Sequence, residues 1–82
     1  MPYITQKSRD AFGMGVGTEK ITPGELNYML TVLCSEYFKT QGGNYQAIND
    51  IVGALEGAKL EFYRRVAAPY EDKKIIENGD VY

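Results

Sequence analysis

An all-α fold is predicted for these 82 residues, and three observations carry it. Ile48, Ile51, Val52, Leu55, Ala58, Phe62 and Val66 recur every three or four positions across residues 44–68, the period of one helical face. Thr22-Pro23-Gly24-Glu25 sets threonine at an N-cap, proline at the first helical position and glutamate at the third, which is a capping box. Gly42-Gly43 then divides the two helical stretches by a link so short that they must run antiparallel. The expected architecture is a helical hairpin, about 23–41 and 44–68, with a short N-terminal helix and a short C-terminal helix after Pro69. Residues 1–82 make a single domain, of which 1–21 is a partly flexible N-terminal segment.

Residues 1–21 carry little periodicity, and a short helix from Thr5 to Phe12, capped by Thr5, is the one element expected there. Gly13, Gly15 and Gly17 alternate as in a flexible loop. GMGVG has glycines spaced like those of a phosphate loop, but it follows no strand and lacks the lysine–serine ending, which argues against one. From Pro23 the first arm runs through LNYMLTVLCSEYFKTQ. Leu26, Met29, Leu30, Leu33, Tyr37 and Phe38 lie along its inner side, and Tyr28 and Val32 widen the apolar surface. At 1.5 Å per residue this arm spans roughly 27 Å.

Asn44 caps the second arm, its side-chain oxygen meeting a free N–H of the first turn. Pro69 sets the far limit, because the proline ring pushes Ala68 out of the helical region. That arm reaches roughly 37 Å and overhangs its partner by about two turns. The overhanging turns hold Phe62, Tyr63, Arg64, Arg65 and Val66, which the termini or another subunit must cover. Gly53 and Gly57 each cost about 1 kcal/mol in a helix interior, so a smooth strip there implies a close neighbour. Packing against the chain's own first arm is one reading, and contact with a second copy is the other. Gly53, Gly57, Phe62 and Val66 are the candidate oligomer interface. Past Pro69, Glu71 and Asp72 precede Lys73 and Lys74, the charge order a helix dipole favours, and Asn78-Gly79 is a stop. This last helix, with Ile75, Ile76, Val81 and Tyr82 on its apolar side, is expected to fold back on the hairpin or dock on a neighbour.

Composition excludes several functions. A net charge of −2 argues against general DNA or RNA binding. No apolar run is long enough to cross a bilayer, and the N-terminus lacks the apolar core of a signal peptide. With no histidine and a single cysteine, Cys34, a zinc or nucleophilic enzyme is not expected, and no metal, catalytic or cofactor residue is assigned. One cysteine suits a reducing compartment, and Cys34 reads as a small core residue. Glu61 can pair with Arg64 and Arg65 on its own helix. Alternatively, Tyr63, Arg64, Arg65 and Tyr70 gather guanidinium forks and aromatic faces in the manner of a phosphate and base site.

GELNY at 24–28 and GALEGAKLEFYRRVAAPYEDKKIIENGDVY at 53–82 resemble a family of small uncharacterised proteins of tailed bacteriophages and prophages, most specifically in LEFYRRVAAPYEDKKI and NGDVY. The resemblance implies a phage protein acting in the cytoplasm of the infected bacterial host. In architecture alone, a short N-terminal helix and a hairpin ending in an aromatic–arginine helix before a proline is similar to phage anti-CBASS sponge proteins. Those are homo-oligomers that sequester cyclic nucleotides between subunits, so the similarity is one of fold and implies no ligand residue directly. The expected function is a non-enzymatic immune-evasion protein that forms a homo-oligomer and captures a nucleotide signal. Tyr3, Lys20, Tyr63, Arg64, Arg65 and Tyr70 are its candidate contacts. An anti-CRISPR-like inhibitor that binds a host defence protein, and a structural or assembly component of the virion, are the alternatives.

Overall fold

Local chemistry at the chain's polar caps fixes where its first three helices begin. In a computed structural model describing residues 2–12 and 20–82, α1 spans Gln6–Phe12, α2 Pro23–Thr40, α3 Tyr45–Phe62 and α4 Ala68–Asn78. The GMGVG stretch lies outside the described residues. Thr5 opens α1, its hydroxyl accepting from the Ser8 N–H at 3.1 Å. At α2 the capping box is complete: Thr22 Oγ1 accepts from the Glu25 N–H at 3.1 Å, and the Glu25 carboxylate accepts from the Thr22 N–H at 2.9 Å. Asn44 caps α3 by accepting from the Ala47 N–H at 2.9 Å.

The end of α2 is a glycine motif. Gly43 N–H donates to Phe38 O at 2.8 Å and Gly42 N–H to Lys39 O at 3.2 Å, the paired bonds that close a helix through a left-handed residue. Gly42 has φ of 92° and Gly43 of 61°, conformations that a side chain would strain. The reversal turns α3 back along α2. Near it lie Ala47, the one buried residue among those described, and a 3.4 Å hydrogen bond from the Tyr37 hydroxyl to Asp50.

Beyond Phe62 the structure departs from expectation. Ala68 stays helical, with φ −62° and ψ −46°, so Pro69 does not end the second arm. Instead Tyr63–Ala67 form a π turn, in which the Ala68 N–H reaches back five residues to Tyr63 O. Pro69 has no N–H to give in either helical pattern. The switch from five-residue to four-residue spacing is therefore made where one bond is missing anyway, and the wider turn makes room for the pyrrolidine ring. Segments of 18, 5 and 11 residues thus form one continuous run of 34, Tyr45–Asn78. By the rise per residue that run is about 51 Å long, and the molecule's longest dimension is 50 Å. Gly79, with φ of 88°, ends it, donating to Ile75 O at 2.8 Å.

The overhang is accordingly about four turns rather than two. Among the described residues α4 continues the π turn and makes no contact with α2, so of the two placements expected for it, folding back on the hairpin is not the one observed. The radius of gyration, 16.5 Å, compares with about 12 Å for a compact chain of this length. Several residues of the expected inner side of α2 stay uncovered: Leu26, Leu30 and Tyr37 are exposed, and Leu33 is 67% exposed. Only Met29, Cys34 and Phe38 are half-buried on that helix. The hairpin closes at its glycine end and does not make a sealed core.

Candidate binding surface on the overhang

Three side chains converge on a single oxygen where α3 meets the π turn. Helical spacing puts Arg64 and Arg65 three and four residues past Glu61, the separations at which side chains meet. Arg64 donates to Glu61 Oε1 at 2.8 Å, and Arg65 Nε lies 3.7 Å from the same atom. Tyr3, arriving from the N-terminal segment, donates its phenol hydrogen to that oxygen and accepts from Arg64 at 3.1 Å. Glu61 is largely covered, at 22% side-chain exposure, whereas each guanidinium carrier stands 64% exposed. One carboxylate thus serves two guanidinium groups, and the cluster keeps a net positive charge.

The other candidates stand around this cluster unevenly. The Tyr63 phenol is held above the usual tyrosine value by the Glu71 carboxylate, which acts as hydrogen-bond acceptor and negative charge, with a smaller effect from Asp72. Tyr70 is exposed and carries Lys74 Nζ 5.5 Å from its ring centre, a cation–π approach. Lys20 adopts φ of 55° before α2 and, among the described residues, no hydrogen bond or ion pair joins it to the overhang. Phe62 and Val66 are exposed, as expected of an uncovered surface. A Cβ built on Gly53 would meet nothing within 4 Å, so packing against the chain's own α2 does not account for that glycine. Gly57 is half-buried.

A second feature escaped sequence reasoning. Between α2 and α3 lies an open groove of about 490 Å³, walled by Leu33, Cys34, Tyr37, Ile51, Ala54 and Leu55 and rimmed by the acids Glu36 and Asp50. Its signal was present in the spacing of both arms, but that spacing reads equally well as a closed hairpin. Cys34 lies in this groove's wall as a free thiol.

Residues 1–81 match a family described as a domain of unknown function, DUF6899. The chain belongs to this family. No curated protein and no solved structure matches it. Among the described residues of this DUF6899 chain, no cluster of histidine, cysteine or acidic side chains is arranged to hold a metal. Among the described residues, no helix is long and apolar enough to cross a membrane. What the DUF6899 overhang offers chemically is charge and aromatic surface: forked donors for an anion, and exposed rings that can stack on a planar ligand.

Proposed function

We propose that the protein is a non-enzymatic, phage-encoded accessory protein that assembles as a helical homo-oligomer and captures a nucleotide signal of the bacterial host at a subunit interface. The observation that carries this reading is the imbalance at Glu61. Two exposed guanidinium groups share one carboxylate oxygen, beside the exposed Tyr63 and Tyr70 rings. A phosphate competes well for such a pair, since each guanidinium keeps free donors in fork geometry, and the neighbouring rings suit a base. Calorimetry of the full chain against a panel of cyclic di- and trinucleotides tests it. Binding that falls at least tenfold in both Arg64→Ala and Arg65→Ala supports the proposal, and no heat with any member of the panel rejects it.

The acid-rimmed apolar groove favours a second reading, an inhibitor that binds a basic, apolar surface of a host defence protein. Pull-down from host lysate separates the two readings, because a nucleotide sponge retains no host protein.

A further inference from the structure

We propose that the groove between α2 and α3 is occupied by the Tyr63–Asn78 overhang of a second copy, in an antiparallel pair whose two chains exchange these segments. The inference rests on the self-association in the proposed function, needs no ligand, and names the segments that meet.

Length is the first ground. The overhang of Tyr63–Asn78, 5 and 11 residues in its two segments, is about 24 Å long, and α2, at 18 residues, is about 27 Å. Two 34-residue helices laid side by side in opposite directions therefore place each overhang along the other's hairpin. Each end becomes a three-helix layer, and neither chain is left projecting.

Area is the second. The chain exposes 7400 Å², on the order of 2,000 Å² more than a compact protein of its mass. A stable pair needs roughly 800 Å² from each partner, so the surplus is ample. Apolar side chains stand open on both partners: the groove walls on one, and Val66, Tyr70 and Ile76 distributed around the overhang on the other, with Ile76 84% exposed.

Charge is the third. Residues 23–62 hold five acids against two bases, a net −3, whereas residues 63–78 hold four bases against three acids, a net +1. In the exchanged pair the net positive overhang meets the net negative hairpin. Glu36 and Asp50 on the groove rim come level with Lys73 and Lys74, and Glu71 and Asp72 fall one or two residues further along. Stacking groove on groove would instead bring the two acidic rims together.

The lone cysteine makes the arrangement measurable. Cys34 lies in the groove wall, and in the antiparallel overlay it comes level with about residue 72 of the second chain, by the helical rise. Four chains lacking it (Cys34→Ser) would each carry one new cysteine, from Tyr70→Cys, Glu71→Cys, Asp72→Cys or Lys73→Cys. These consecutive positions sample the whole helix circumference. Each is mixed with unmodified chain, treated with a short bis-maleimide, and the linked peptides are identified by mass.

A link from Cys34 to at least one of the four positions, in a particle that sediments as a dimer or a multiple of one, is the expected result. Chains that associate but link only Cys34 to Cys34, or give no link to any of the four positions, overturn the exchange and leave self-association standing. A strict monomer at every concentration overturns both. The nucleotide reading is judged separately by calorimetry, so its failure does not mimic either outcome. As a check that needs no cross-linking, Ile76→Asp alters a side chain exposed in the single chain and should raise the dissociation constant at least tenfold with helical content kept at high concentration.

Discussion

Glu61 accepts from Tyr3 and Arg64 and attracts Arg65, so its charge decides what those cations have left to offer. Pairs whose cations are exposed, as Arg64 and Arg65 are, contribute about 0.2–1 kcal/mol, so Glu61→Gln should lower the unfolding free energy by no more than about 1 kcal/mol in a denaturant titration. Affinity for an anion moves the other way: with the carboxylate neutralised, both guanidinium groups are released, and nucleotide binding should tighten several-fold in calorimetry. Unchanged or weaker binding would mean that the arginines serve Glu61 alone. The capping box makes a separate prediction. Thr22→Ala should cost about 1 kcal/mol, read as a lowered denaturant midpoint. The Glu25 carboxyl is held below its usual value, mainly by accepting the Thr22 N–H and secondarily by the Thr22 side chain. Its contribution is therefore full above the unfolded pKa and lost as pH falls through the lower folded value. The loss of stability between about pH 5 and pH 3 should accordingly be shallower in Glu25→Gln than in the parent.

At the scale of elements, what was legible in the sequence was what neighbouring residues decide among themselves. Thr22, Asn44, Gly42 and Gly79 each complete hydrogen bonds within five residues, and every helix boundary they govern lies where the sequence places it. Pro69 misled because crowding by the ring only disfavours a helical preceding residue, and Ala68 adopts that conformation all the same, while the π turn at Tyr63–Ala67 relieves the ring's clash with the carbonyl one turn back. The stripe on α2 misled for another reason. Helical periodicity says which side chains need cover, not whether the cover comes from the same chain, and Leu33 and Tyr37 end on an open groove wall. Gly53 offers a test at this scale. It sits in a helix with open space around it and does not line the groove, so Gly53→Ala should stabilise the fold by about 1 kcal/mol. Sedimentation should show the association unchanged. Loss of association would move the contact from the groove to the glycine face.

For the whole molecule, one sealed alanine among the described residues and a 50 Å helix do not make a self-sufficient core. Stability that comes from association follows mass action, so the thermal midpoint should climb as protein concentration is raised a hundredfold. A midpoint independent of concentration would place the stabilising contacts within one chain. The same mass action links survival to dosage. Early in synthesis, with copies scarce, solitary chains of an associating protein would be prey for the cell's proteases; once encounters outpaced degradation, each new arrival would shield the ones before it. Abundance would then rise abruptly instead of in proportion to translation, and a crippled variant made alongside the normal chain would drag its partner down with it.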